Sequence, residues 1–130
     1  MTNNPIRILI VDDEPDMLWT LSQSLSYASY AVTQALNAHE ALNYLRQCSF
    51  ALALIDVKLP DMDGLQLATT VKEIAPNLAI ILISGYYYAE DPEIAREVNQ
   101  KVATSFLSKP FSLQEIRSTI QRVLATNPTS

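Results

Sequence analysis

Residues Ile6–Pro15 read IRILIVDDEP: a run that is apolar except for Arg7, then acids, then a proline. A short apolar stretch of this kind, rich in β-branched residues, fits a strand buried on both faces, as in a parallel sheet. It stops abruptly at Asp12 and Asp13. Behind the acids, Pro15 suits a first helical turn, and Met17, Leu18, Leu21, Leu25 and Ala28 recur at helical spacing. One buried strand thus feeds directly into one helix, and the rest of the chain repeats that unit.

Ala31–Leu36 is a weaker strand. Asn37 followed by Glu40 forms a capping pattern, and Ala41, Leu42 and Leu45 carry a helix towards Cys48. Ala51–Asp56 (ALALID) is a third strand that ends in a charge. The loop VKLPDMD leads into a helix from Gly64 to Ile74, stopped by Ala75-Pro76-Asn77. Within that loop Asp61 and Asp63 read as turn formers and a helix cap. Ala79–Ser84 (AIILIS) is a fourth strand, and Asp91-Pro92-Glu93 opens a helix to about Val102. Ser105–Leu107 is a short fifth strand. Ser112 and Glu115 then form a capping box ahead of an amphipathic helix through Leu113, Ile116, Ile120, Val123 and Leu124. Five strands alternating with five helices require a parallel sheet covered on both faces, because parallel crossovers need a helix-length connection. The flavodoxin-like strand order 2-1-3-4-5 is the topology expected at this length.

The 130 residues suit one domain spanning 1–130, with a core of about 6–125 and a polar tail at 126–130. No effector domain follows residue 125, which fits either a single-domain protein or a piece of a longer one. No apolar run is long enough for a membrane span, and the start lacks the shape of a signal peptide. The single cysteine, Cys48, excludes an internal disulfide and favours a cytoplasmic location. A net charge of −5 argues against direct nucleic-acid binding, and two glycines are too few for glycine-rich nucleotide loops.

In folds of this class, ligands bind beyond the carboxyl ends of the strands. The residues there are Asp12 and Asp13, Asp56, Ser84, and Lys109-Pro110. Three carboxylates would converge on one crevice, and two unit charges about 4 Å apart repel by about 4 kcal/mol at an effective dielectric of about 20. Either some are protonated or a divalent cation neutralises them. All-oxygen ligation points to a hard ion, and the sparse donor set favours Mg²⁺ that keeps several waters. Carboxylate, metal, lysine and hydroxyl together suit phosphoryl transfer to an aspartate. A metal-dependent phosphatase with an aspartate nucleophile is the rival reading. It would want an Asp-x-Asp pair after the first strand and an inserted cap domain.

The segments LIVDDEP, LIDVKLPDMDG, ILISG and FLSKPF, in this order, resemble the receiver domain of two-component response regulators over about residues 6–125. The resemblance implies that Asp56 accepts a phosphoryl group from a sensor histidine kinase or a histidine phosphotransfer protein. It implies that Asp13 ligates Mg²⁺ directly and Asp12 through water, with Asp56 and the Lys58 backbone carbonyl as further ligands. Lys109 and Ser84 would hold the phosphoryl oxygens, Phe106 would be the aromatic switch, and Lys109-Pro110 a cis peptide bond. Such a domain is not an enzyme beyond its own phosphotransfer and autodephosphorylation. Its switched face, formed by the helix opening at Asp91, the fifth strand and the final helix, would act on a downstream protein, an attached effector domain or a second copy of the chain. A receiver that binds partners without phosphorylation is the alternative within the family.

Three positions depart from the common pattern: Gly85 where alanine is frequent, Phe106 in place of tyrosine, and a basic Lys58. Lys58 and Tyr86 are expected to tune hydrolysis of the acyl phosphate by gating water. Trp19 lies opposite the apolar face of its helix, either packed by a loop or anchoring a docked partner. Tyr86, Tyr87 and Tyr88 form a candidate output or dimer surface. His39 reads as a solvated side chain and Cys48 as a small apolar filler.

Overall fold

In a computed structural model the described residues are 5–27, 30–85 and 103–126. Nine elements succeed one another there: β1 (Arg7–Val11), α1 (Pro15–Tyr27), β2 (Ala31–Ala35), α2 (Ala38–Gln47), β3 (Leu52–Asp56), α3 (Gly64–Ile74), β4 (Ala79–Ser84), β5 (Ser105–Ser108) and α4 (Leu113–Thr126). The strands form one sheet in the order β2-β1-β3-β4-β5, every neighbouring pair parallel. This is the doubly wound arrangement that strict alternation of strand and helix demands. The helix expected from Asp91 to about Val102 lies outside the described residues, as do Tyr86, Tyr87 and Tyr88.

Because successive side chains of a strand point to opposite faces, the apolar runs divide into two layers. Leu9, Val11, Ala53, Ile55, Ile80 and Leu82 pack beneath α2 and α3. Ile8, Ile10, Leu52, Leu54, Ile81 and Ile83 pack beneath α1 and α4, against Leu18, Leu21, Leu25, Ile116 and Ile120. Every residue of β3 and β4 is buried. At about 1.5–3 kcal/mol for each fully buried aliphatic side chain, these central strands anchor the domain. At one edge, β2 is only partly buried, which explains its weaker apolar signature.

Local chemistry sets the helix ends. The Asn37 side chain accepts the Glu40 N–H at 2.8 Å, while Glu40 Oε1 accepts the Leu36 N–H. Ser112 and Glu115 exchange hydrogen bonds at 3.0 and 3.1 Å, the reciprocal capping box read from sequence. Asp63 caps α3 through the Leu65 N–H. Asp61 is not simply a turn former: its carboxylate reaches the first amides of α2, far away in sequence. His39 is exposed, and Cys48 is partly buried against the layer beneath α2 and α3.

Candidate functional site

The site is assembled where strands run out of apolar residues. The Asp12 N–H still belongs to the sheet, donating to Ala35 O at 3.1 Å. Its carboxylate turns back, and Oδ1 accepts the Glu14 N–H at 2.9 Å ahead of α1. Asp56 closes β3 in the same manner, with Oδ1 accepting the Lys58 N–H at 2.9 Å. Ser84 ends β4, and its carbonyl accepts the Lys109 N–H at 2.7 Å, which fastens the loop after β5 beside it. The Lys109–Pro110 peptide bond in that loop is cis.

Glycine is required at one point of this frame. The Gly64 N–H donates to Val57 O at 2.7 Å, bringing the start of α3 hard against the end of β3. A Cβ on Gly64 would overlap the Asp56 carbonyl oxygen and stand 2.6 Å from Val57 Cα. Only a residue without a side chain lets α3 begin there.

One ammonium serves three acids. Lys109 Nζ lies 3.1 Å from Asp56 Oδ2, 3.3 Å from Glu14 Oε1 and 3.5 Å from Asp12 Oδ2. Carboxylate oxygens of Asp12, Asp13, Glu14 and Asp56 all fall within 4.8 Å of one another. Asp12 is fully buried, and that burial pushes its carboxyl up to about 6, with the Asp56 charge adding to the rise. Burial alone would lower Lys109, but the charges of Asp56 and Asp12 outweigh it and raise the ammonium above its ordinary value. Four acids against one lysine leave negative charge uncompensated.

Two buried oxygens, Asp12 Oδ2 and Ser84 Oγ, have no hydrogen-bond partner among the described residues, Asp12 Oδ2 having only its 3.5 Å ion pair with Lys109. Buried polar atoms normally have one. An acidic cluster whose buried carboxylate oxygen lacks a hydrogen bond fits a small, hard divalent cation such as Mg²⁺. Beside it opens a cavity of about 470 Å³ lined by Asp13, Glu14, Asp56, Lys58, Leu59, Pro60, Gly85 and Lys109. Its mouth carries both the negative Glu14 and the positive Lys58.

Asp12, Asp13, Asp56, Lys58, Ser84 and Lys109 therefore share one edge of the sheet. Glu14 joins them without having been singled out from sequence. The signal was its position directly after the acidic pair, overlooked because an acid in that place also suits a helix start. Phe106 stands apart, 38% exposed on β5. Trp19 is 64% exposed on α1, and among the described residues no loop packs over it.

The chain matches the family model of the response regulator receiver domain over residues 8–121. It is 37% identical over 119 residues to the response regulator receiver protein CpdR of Brucella abortus, covering 91% of this chain and 96% of that protein. Among solved structures, a CheY-like receiver domain protein from Methanospirillum hungatei superposes with a TM-score of 0.88 at 31% identity, covering 95% of this chain and 97% of that one. The response regulator TrrA of Thermotoga maritima, solved in complex with Mg(2+)-BeF, gives a TM-score of 0.79 at 26% identity, covering 91% and 98%.

Proposed function

Because this chain belongs to the response regulator receiver domain family, we propose that Asp56 is its phosphoacceptor. The observation that carries the reading is the ending of buried β3 in a carboxylate held by Lys109 Nζ at 3.1 Å amid three further acids. In the reaction one Asp56 oxygen forms a bond to phosphorus as the phosphorus–nitrogen bond of a donor phosphohistidine breaks, and the imidazole leaves with the electron pair. Asp12, Asp13, Asp56 and the Lys58 carbonyl would hold Mg²⁺. Bound there, the ion supplies neutralisation of the acids and of the incoming phosphoryl oxygens.

Lys109 keeps Asp56 oriented and offers its ammonium to the transferred group. Transfer replaces the single charge of the Asp56 carboxylate with a phosphoryl group carrying about −1.5 to −2, which a strand end sealed on both faces can meet only with donors already in place. Ser84 Oγ, buried and without a hydrogen-bond partner among the described residues, would be such a donor. Its engagement would draw the end of β4 inward and make room for Phe106 to turn from its exposed position. The face carrying β5 and α4 would then read out the state to a downstream protein, an attached effector domain or a second copy. Moving such an equilibrium from 1:99 to 99:1 takes about 5.5 kcal/mol, within reach of several charge-assisted hydrogen bonds.

A sensor histidine kinase or histidine phosphotransfer protein is the donor this arrangement suits. Trp19 stands exposed on α1, and the same helix borders a mostly apolar groove of about 380 Å³ formed with Lys109, Pro110, Phe111 and Leu113. Replacing Trp19 by alanine is expected to slow phosphorylation by the partner while leaving that by a small phosphodonor unchanged. Lys58, at the cavity mouth, would tune the access of hydrolytic water; Tyr86, the other residue assigned to that task, lies outside the described residues. Among the described residues no helix is long and apolar enough to cross a membrane, and a cytoplasmic place of action is consistent with the single cysteine.

The deciding experiment is incubation with Mg²⁺ and a small phosphodonor followed by intact-mass measurement. The unaltered protein should gain one phosphoryl group and Asp56→Asn none. Equal gain by both would place the chemistry elsewhere.

A further inference from the structure

The loop between β3 and α3 has three anchors. Its ends are tied by the backbone, with Val57 N–H on Ile83 O and Gly64 N–H on Val57 O. Lys58 and Asp63 face each other across it in an isolated antiparallel bridge. The third anchor is remote: Asp61 Oδ1 accepts the Ala38 N–H at 2.9 Å and Oδ2 accepts the His39 N–H at 3.0 Å.

Those amides open α2, and a helix leaves its first four N–H groups without intrahelical partners. The Asn37 side chain takes the Glu40 N–H, while its carbonyl accepts the first intrahelical bond, from the Ala41 N–H. Asp61 takes the Ala38 and His39 N–H groups. The N-terminus of α2 is therefore satisfied by two residues with different consequences. Asn37 acts only on its own helix. Asp61 closes the same helix end and, in doing so, pins the tip of the loop that carries Lys58. The Ala38 N–H first, and the His39 N–H after it, hold Asp61 below the usual carboxylate range, as a carboxylate at the positive end of a helix should be held.

We infer that Asp61 is a positioning residue for the phosphoacceptor site. Its clasp on α2 keeps the loop in the shape that places the Lys58 N–H on Asp56 Oδ1 at 2.9 Å. The metal part of this rests on the proposal above that the Lys58 carbonyl ligates Mg²⁺; the loop part does not.

Three variants separate positioning from ordinary capping. Asp61→Ala removes both loop and helix contacts, Asp61→Asn keeps one acceptor oxygen, and Asn37→Ala weakens the same helix end without touching the loop. Two readouts are compared: amide hydrogen exchange at Lys58 and Gly64 in metal-free protein, and Mg²⁺ affinity by calorimetric titration. Asp61→Ala should speed exchange at both amides and weaken Mg²⁺ binding roughly tenfold, the low end of what losing an outer-shell partner costs. Asp61→Asn should fall between it and the unaltered protein, and it carries the comparison alone if Asp61→Ala does not fold. Asn37→Ala should lower stability and leave both readouts in place. Matching changes in Asn37→Ala and Asp61→Ala would reduce Asp61 to a helix cap and overturn the inference. Absence of Mg²⁺ affinity in the unaltered protein would instead overturn the metal reading, with the exchange comparison still deciding the role of Asp61.

Discussion

At the amino ends of the central strands the backbone hands its hydrogen bonds on in sequence, Ala51 N–H to Arg7 O at 2.9 Å and Ala79 N–H to Ala51 O at 3.2 Å. Lys72 closes the turn beyond α3 by donating to Leu78 O at 2.6 Å and Pro76 O at 3.3 Å, and the Arg7 guanidinium covers the Phe50 ring at 5.4 Å. At the carboxyl ends one lysine serves three acids, and two buried oxygens have no hydrogen-bond partner among the described residues. One end is finished for stability, whereas the other crowds like charges around a single ammonium. The same strands carry both, because a parallel sheet gathers all its carboxyl ends on one side.

The largest test of this contrast is Gly64→Ala. The new Cβ would meet backbone atoms of Asp56 and Val57 that cannot swing away, so a loss of about 3 kcal/mol is expected from the urea midpoint. A neutral result would mean that α3 does not need its close approach to β3. Next comes Asp12→Asn in metal-free protein. Burial raises Asp12 from 3.8 to about 6, so its ionised form opposes folding at neutral pH, and removing that charge should stabilise by about 2 kcal/mol. Mg²⁺ affinity should fall in the same variant, and stabilisation without that loss would show the acid to be merely ill-placed. At the finished end the sign reverses: Lys72→Met leaves two carbonyls without their donor and should cost about 1 kcal/mol.

Asp61 supplies the pH dependence. Its carboxyl is held below the ordinary 3.8, so its contribution to stability is complete well above that value and fades as pH falls through the lower folded-state value. The stability gap between the unaltered protein and Asp61→Ala should therefore be constant near neutrality and narrow only below about pH 4. A gap that closed between pH 7 and 5 would assign the effect to another group. The smallest effect is Gly85→Ala. No atom lies within 4 Å of the Cβ it would add, and no glycine among the described residues has a positive φ, so a gain of about 0.5 kcal/mol is expected from the unfolded chain alone.

What was legible in the sequence followed from local rules. Alternation of apolar runs and helical periods yields the sheet order, and the caps at Asn37 and Ser112 are three-residue patterns whose partners lie within one turn. The acids at the strand ends could be grouped because topology brings those ends together. Contacts across long stretches of chain were not legible. Nothing near Asp61 in the sequence indicates that it will cap a helix more than twenty residues earlier. The need for glycine at position 64 depends on the distance between β3 and α3, which no spacing encodes. Glu14 lay in plain view, but its link to Lys109 spans 95 positions.

The only tryptophan, Trp19, is the most exposed large apolar side chain among the described residues. Since its indole already faces water, denaturation changes its surroundings little, and its emission should barely register the loss of the fold. A protein seated on α1 would move the same ring out of water and shift that emission to the blue. On the docking proposed above, this fluorophore should stay quiet through melting and respond to a donor seated on α1, so that the encounter could be followed without any attached dye.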